Sequence, residues 1–208
     1  MKLQIRTALL ASAAVFFSLP ALAQGFYWTW AYEPSVPTGH VRNAVSNPSP
    51  AGASLGARYL FEKHWSLGIG GHWAEFAQNY SRATYPIDNG AITGAVYRRV
   101  WTISTLAEAH AYLSPDETLS PYLGFGAGLS WMHNELLVTD LTVGDLAYGF
   151  AVSPEAGVVI AFDRDAFMPE RTAMQSVITG IRYTFTTAGS RDVSSTSFLG
   201  LTVGLLVY

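Results

Sequence analysis

The fold of this chain is best indicated by the segment Pro121-Tyr122-Leu123-Gly124-Phe125-Gly126-Ala127-Gly128-Leu129-Ser130-Trp131. Its odd positions carry apolar side chains, and its even positions after the tyrosine carry only glycine or serine. Because successive side chains of a β-strand point to opposite faces, this alternation predicts a strand with one bulky apolar face and one face of small residues. An amphipathic helix would need apolar residues three and four positions apart, a spacing that the stretch does not sustain.

The same alternation recurs along the chain and predicts eight strands. They cover residues 25–33, 51–61, 65–76, 96–113, 121–133, 147–162, 176–186 and 197–208. Most reach the roughly 9 to 11 residues that a tilted strand needs to cross a bilayer, whereas Pro34 and Pro37 shorten the first. Beyond the N-terminal segment no apolar run approaches the ~20 residues of a membrane helix. The sequence therefore predicts an all-β protein, an eight-stranded antiparallel up-and-down transmembrane β-barrel.

Composition agrees with a membrane barrel and excludes other classes. Half of the residues are hydrophobic and only 13% are charged, although the chain has no long apolar run. Cysteine is absent, so a secreted chain of this length needs another device than disulfides, and the closed hydrogen bonding of a barrel is one. The net charge of −3 and the scattered basic residues do not predict a nucleic-acid surface.

The N-terminal segment has the pattern of a secretory signal peptide. Lys2 and Arg6 precede a short apolar run, and Ala21-Leu22-Ala23 forms a small-residue cleavage site. We expect residues 1–23 to be removed and residues 24–208 to form one barrel domain. No cysteine follows the small residues, which argues against a lipoprotein anchor.

Connector lengths predict the orientation of the barrel. Long polar connectors are expected at 34–50, 77–95, 134–146 and 187–196, and short ones at 62–64 and 114–120. Short turns face the periplasm and long loops face outwards in such barrels, so both termini of the mature chain are predicted to lie in the periplasm. The connector 163–175 departs from this rule, because it should be periplasmic and yet is long. Exposed side chains of the second long connector are candidate binding anchors: Tyr80, Arg82, Tyr85 and Asp88.

The bulky phase of each strand is predicted to face lipid, because eight strands leave little room inside for such side chains. Amphipathic rings favour the headgroup levels of a bilayer. The outer aromatic belt is expected to contain Trp30, Trp73, Trp101, Trp131, Tyr148 and Tyr183, and the inner level Phe26, Tyr59, Phe61 and Trp65. The alternative is a periplasmic lipocalin-like barrel with these rings in its core.

Charged residues within the strands fall in the opposite phase and predict a polar lumen. They are expected to form a lumenal charge network of Glu33, Arg58, His72, Glu108, His110, Glu155 and Arg182. Isolated buried charges are costly, so acids and arginines should pair and close the barrel. The alternative interpretation is a narrow pathway or gate for a small solute.

The sequence does not predict a catalytic site. A serine nucleophile needs a histidine within hydrogen-bond reach, and His64-Trp65-Ser66 lies on a short periplasmic turn, the wrong side for surface lipid. His133 at the outer rim has no serine beside it in sequence, and His72 and His110 could in principle share a metal. We predict no catalytic residue, no cofactor and no metal, and keep a lipid A-modifying enzyme as a second alternative.

The chain resembles the outer-membrane β-barrel protein superfamily, in particular the small OmpA/OmpX-like and opacity-type barrels. The resemblance rests on the Ala21-Leu22-Ala23 signal, the strand from Pro121 to Gly128, and the C-terminal strand ending in Tyr208. It implies that Tyr208 is an assembly signal read by the barrel-assembly machinery, although Val207 rather than Tyr208 shares the outward phase. It also implies a monomer in the bacterial outer membrane with a structural or surface-interaction role, contacts with outer-membrane lipids, lipopolysaccharide among the candidates, and no cofactor.

Overall fold

A computed structural model of the protein describes residues 25–87, 90–138, 141–162, 175–190 and 193–207. The expected signal peptide at 1–23, most of the connector 163–175, Asp88 and the terminal Tyr208 lie outside the described residues.

The described strands form one antiparallel sheet that closes on itself. β1 pairs with both β3 and β9, and each later strand pairs with the next along the chain. β2 continues the course of β1 beyond Pro34 and pairs with β9, so the two share one position in a ring of eight. This confirms the predicted eight-stranded antiparallel barrel. The strands are β1 Phe26–Tyr32, β2 Ser35–Thr38, β3 Gly52–Glu62, β4 Trp65–Ile87, β5 Gly90–Tyr112, β6 Leu119–Val138, β7 Leu141–Ala161, β8 Gln175–Thr186 and β9 Thr196–Val207.

Two of the predicted long connectors are wrong, because they are strand. β4 and β5 each run for 23 residues and stay paired up to Ile87↔Gly90, through the segment expected to be a loop at 77–95. β6 and β7 stay paired up to Val138↔Leu141, through the segment expected at 134–146. The parts of these four strands nearest to the hairpins extend past the rest of the barrel. We call them the protruding sheet, which comprises residues 75–87, 90–101, 133–138 and 141–149.

A short helix, α1, covers Gly39–Ala44 and follows β2 directly. Its first residue, Gly39, has a φ of 55°, a conformation that favours glycine. None of the helices within the described residues has the length and apolar composition needed to cross a membrane.

The two faces of the strands are distributed as the alternation predicts. On β6 the bulky phase points away from the lumen, and Leu123 is 58% exposed, whereas Ser130 on the opposite phase is 1% exposed. The exterior is therefore apolar and the middle of the lumen is lined by small and polar residues, whereas a soluble barrel presents polar side chains to the outside.

Candidate functional site

The lumen is the part of the molecule where buried polar and charged side chains converge. It has two ends, defined here by the connections around them: the short-turn end, near 63–64 and 113–118, and the hairpin end, below the protruding sheet. All seven residues predicted for the charge network lie in the lumen and are at most 7% exposed. We call Glu33, Arg58, His72, Glu108, Glu155 and Arg182 the ion network.

Glu108 on β5 is the centre of one half of the ion network. Its Oε2 accepts hydrogen bonds from Arg58 Nε at 3.1 Å and from Arg58 Nη2 at 2.5 Å. Its Oε1 lies 2.7 Å from Nε2 of the His72 ring, whose Nδ1 lies 3.3 Å from Glu33. The histidine ring thus bridges two carboxylates, and Glu108 is shared by a guanidinium group and an imidazole.

Arg182 on β8 is the centre of the other half. It donates from Nη2 to Glu155 Oε2 at 2.5 Å and from Nε at 3.1 Å, while Nη1 lies 3.4 Å from Glu108 and 3.7 Å from Glu33. The same guanidinium group contacts the His72 ring. Three carboxylates therefore face two guanidinium groups, and a proton on His72 would make the network formally neutral.

Glycines on the neighbouring strands make room for these long side chains. In register, Arg58 is flanked by Gly68, Glu108 by Gly68 and Gly126, and Glu155 by Gly124. A Cβ atom at Gly68 would lie 2.5 Å from Arg58 Cγ and would clash with it. The glycine-rich phase that identified the strands is thus also what allows a narrow barrel to hold six ionic side chains.

A tyrosine cluster fills the lumen at the short-turn end. Tyr27 and Tyr112 are joined through their hydroxyl oxygens at 2.5 Å, and the Tyr27 hydroxyl donates to Ser66 Oγ at 2.9 Å. Tyr122 donates to Glu155 and stacks on His110 with ring centroids 5.0 Å apart. The cluster, completed by Val159, Ile178 and Leu206, is buried and connects the ion network to the short-turn end.

An apolar cap fills the lumen at the hairpin end. Phe76, Val100 and Met132 from the barrel wall are fully buried with Val41 and Val45, which α1 and the residue after it bring into the mouth. The cap is completed by Ala44, Ala74, Ala188, Val193 and Phe198. Apolar side chains therefore separate the ion network from the hairpin end of the barrel.

Polar contacts hold α1 in the mouth from both sides. Tyr80 donates to the carbonyl oxygen of Ala44, and Gln78 Oε1 accepts from Ser46 N at 2.6 Å, so β4 fixes one side. On the other side His40 Nδ1 lies 3.0 Å from Ser195 Oγ. The segment around α1 is thus a fixed part of the barrel mouth.

The sequence missed two parts of the lumen. Only Glu–Arg pairing was expected in the lumen, whereas the described residues also place the tyrosine cluster on one side of the ion network and the apolar cap on the other. The alternation of their strands places Tyr27, Tyr112 and Tyr122 in the inward phase. This pattern could have indicated the tyrosine cluster. The cap depends on α1, which no strand pattern reveals.

The residues expected in the outer aromatic belt all lie on the exterior, and some of them form a group. Trp131 and Tyr148 make an edge-to-face contact with centroids 6.5 Å apart, and Trp101 on the next strand is 5.3 Å from the His133 ring. Trp73 joins this group through Ile103, which pairs with both Trp73 and Trp131. Among the described residues no ring contact joins Trp30 or Tyr183 to it.

The candidate catalytic pairs are not assembled. Ser66 is buried in the tyrosine cluster, whereas His64 is exposed in the short turn. His133 Nδ1 lies 2.9 Å from Glu135, at the outer rim. Within the described ranges no three His, Asp or Glu side chains are grouped so that they could hold a metal ion.

Comparison with known proteins rests on structure. No protein-family model and no curated protein sequence matches this chain. Neisserial surface protein A (NspA) superposes with a TM-score of 0.50 at 14% identity, over 88% of this chain and 95% of that one. Ail, the attachment invasion locus protein of Yersinia pestis, gives 0.50 at 14% identity, over 88% and 99%.

The chain has the fold of the small outer-membrane β-barrel proteins. The feature that it shares with that fold is the closed ring of eight antiparallel strands. At 14% identity this likeness shows the fold alone, since one fold can support many functions.

Proposed function

We propose that this protein is an integral protein of the bacterial outer membrane with a plugged lumen, and that it has a structural or surface-interaction role. The observation that carries the proposal is that side chains fill the barrel at both ends of the ion network while four strands continue past the barrel. A closed barrel anchors the protein in the membrane, and the strands that project from it are accessible to partners outside the cell.

The exterior supports insertion into lipid. Residues such as Leu67, Ile69 and Leu201 are about half exposed and belong to the outward phase of their strands. Large apolar side chains in that position need acyl chains rather than water. The partners we propose are outer-membrane lipids, with lipopolysaccharide at the outer face, and the barrel-assembly machinery during insertion. The protein acts as a monomer.

The orientation we propose puts the protruding sheet outside the cell and both termini in the periplasm. The described connections at 63–64 and 113–118 are short, and those above the opposite rim include the protruding sheet. In this proposal residues 1–23 direct export and are removed, so the mature protein begins at Gln24, which mass spectrometry of purified protein would detect.

A narrow channel is the weaker candidate. It would need a continuous aqueous path, and the fully buried Phe76 and Met132 at one end and Tyr27 and Tyr112 at the other oppose one. A lipid-modifying enzyme has still less support, because His64 and Ser66 face different surroundings.

Conductance tests the plugged lumen. We expect the protein refolded into planar bilayers to give no single-channel steps. Clear steps that change in Glu108→Ala or Arg182→Ala would replace the plugged barrel with the channel alternative.

Cysteine labelling tests the orientation, since the chain has no native cysteine. Asp145→Cys, in the protruding sheet, should react with a membrane-impermeant maleimide on intact cells. Glu117→Cys, exposed in the turn at the opposite end, should react only after lysis. The reverse pattern would overturn the proposed orientation.

A further inference from the structure

The chain between β1 and β3 lies across the hairpin end of the lumen, and we call residues 34–51 the mouth segment. It contains β2 and α1, and α1 contributes to the apolar cap. Backbone hydrogen bonds close the segment where it begins and ends. Glu33 N donates to Gly52 O at 3.0 Å, and Ser35 and Ser49 exchange bonds of 2.9 and 2.8 Å. Glu33 is therefore the root from which the mouth segment departs.

The backbone of Glu33 forms this root, whereas its carboxylate belongs to the ion network. Its Oε2 lies 3.3 Å from Nδ1 of His72, and its Oε1 accepts from the Thr202 hydroxyl at 3.3 Å. His72 adjoins the apolar cap, since the next two inward residues of β4 are Ala74 and Phe76. The contact between His72 and Glu33 thus joins the ion network to the root of the mouth segment.

The His72 ring has two sets of partners that it cannot satisfy at once. Its Nδ1 and Nε2 face Glu33 and Glu108 at 3.3 and 2.7 Å, and both nitrogens can donate only if the ring carries two protons. Nε2 also lies 2.6 Å from Nη1 of Arg182, whose N–H can donate only to a nitrogen without a proton. The charged ring therefore binds both carboxylates, whereas the neutral ring accepts from Arg182 and donates to at most one carboxylate.

The charges around His72 in the lumen favour the ring with two protons. The described titratable and charged side chains packed there are Glu33 beside β1, Arg58 on β3, Glu108 and His110 on β5, Tyr122 on β6, Glu155 on β7 and Arg182 on β8. His110 stacks on Tyr122 and lies 3.9 Å from Glu155, beyond hydrogen-bond distance, so we count it as neutral. Three carboxylates then face two guanidinium groups, and a second proton on His72 removes a buried excess charge that would be costly.

We propose that the proton on His72 latches the mouth segment, and that release of this proton at alkaline pH opens the hairpin end of the lumen. With the proton, His72 holds Glu33 and thereby the root of the mouth segment. Without it, the ring accepts from Arg182, and Glu33 and Glu108 are no longer bridged. The two carboxylates then repel each other in a medium that screens them poorly. Glu33 withdraws, and α1 leaves the apolar cap with it.

Opening of the mouth releases one proton, which sets the direction and the limit of its pH dependence. A rise in pH favours the open form, and the ratio of open to closed molecules changes by at most about tenfold per pH unit. The tyrosine cluster contains none of the groups that change partners, so the short-turn end stays closed. The opened barrel is a cup that admits water to the ion network from the hairpin end, and it does not conduct.

A cysteine in the apolar cap reports the opening in the full-length protein refolded in detergent, since the chain has no native cysteine. Val41→Cys, on the buried side of α1, is compared with Asp145→Cys, which is exposed, so that the ratio of their maleimide reaction rates cancels the effect of pH on the thiol. We expect the ratio to rise about tenfold or more between about pH 7 and about pH 10. An unchanged or falling ratio would overturn the latch, and single-channel steps at the higher pH would overturn the cup.

Charge balance separates the latch from ordinary packing, and heat-modifiable gel mobility first shows that each variant forms the barrel. His72→Gln leaves one excess carboxylate and should give the high ratio at every pH. The double variant Glu33→Gln/His72→Gln is balanced again and should give the low ratio at every pH. Glu33→Gln alone is balanced with a neutral ring, so it should stay closed and lose the pH dependence. A double variant as open as His72→Gln, or an unaltered pH dependence in Glu33→Gln, would refute the role of the proton.

His40 is the matched control, because this ionisable side chain also holds the mouth segment. Its Nδ1 lies 3.0 Å from Ser195 Oγ, at the exposed rim. His40→Gln should keep the rise of the ratio with pH, and loss of the rise would assign the switch to the rim and overturn the proposal. Nitrogen-15 spectra of the His72 ring should show protons on both nitrogens at neutral pH, and a neutral ring there would also overturn it. Because barrel formation and conductance at neutral pH are measured separately, failure here leaves the proposed closed barrel standing.

Discussion

The pair Arg58–Glu108 allows the sharpest test of the lumen. Arg58 is 2% exposed, and Glu108 is its one carboxylate partner among the described residues. Glu108→Leu therefore leaves a buried guanidinium group unpaired, which should lower the free energy of unfolding by about 3–5 kcal/mol. Arg58→Met should cost less within that range, because Glu108 retains Arg182 at 3.4 Å and His72.

The double variant Arg58→Met/Glu108→Leu removes both charges. Replacing a buried ion pair with apolar side chains is often neutral or stabilising, so we expect it to be within about 1 kcal/mol of the wild type. The measurement is urea unfolding in lipid vesicles, followed by tryptophan fluorescence, with a double-mutant cycle.

The partly exposed pair Arg99–Glu75, on the outside of the barrel, is the matched control. Its guanidinium and carboxylate are joined by two bonds of 2.8 Å, but the Arg99 side chain is 40% exposed. Its coupling should be below about 1 kcal/mol. If the two cycles gave similar couplings, or if the lumenal single variants simply added in the double, the reasoning on buried pairing would be refuted.

Three further substitutions test packing, and each is measured by the same unfolding assay. Met132→Ala, in the apolar cap, should lower the free energy of unfolding by about 2–5 kcal/mol. Leu129→Ala, whose side chain still contacts lipid, should lower it by less than half as much. Equal losses would contradict a packed cap. Gly70→Ala should lower the free energy of unfolding by about 1–3 kcal/mol, since its Cβ would lie 2.7 Å from a carboxyl group of the ion network. Gly71→Ala should be close to neutral, because the nearest atom to its Cβ is 3.9 Å away. A larger loss for Gly71→Ala than for Gly70→Ala would mean that the wrong face of β4 has been assigned to the lumen. Ile69→Arg, in the apolar exterior, should cost about 2–4 kcal/mol, and a neutral result would argue against lipid at that face.

Much of the fold follows from alternation alone. The strand around Leu123 and Phe125 and its seven counterparts were predictable because a buried lumen and an apolar exterior require a period of two. The same rule put Glu108 and Arg182 inside. Their partners could not be assigned, since a register between strands depends on contacts that a single strand does not encode.

The rest of the structure depends on other physics. Residues 77–95 were expected to be a loop because they form a polar stretch. Outside the membrane a strand needs no apolar face, so only the hydrogen bonds between β4 and β5 identify this segment as strand. α1 is six residues long and is stabilised by packing in the cap, not by a periodic pattern of its own. The different extents of the β6–β7 and β7–β8 pairings likewise appear only when the registers on the two sides of β7 are compared.

We infer a closed β-barrel that is inserted in lipid with its bulky face outward. Gel mobility of the refolded protein in detergent, before and after boiling, tests it most directly, together with a far-ultraviolet spectrum. We expect a compact, fast-migrating band that shifts on boiling and a β-sheet spectrum. A helical spectrum, or a folded protein that stays soluble without detergent, would contradict it.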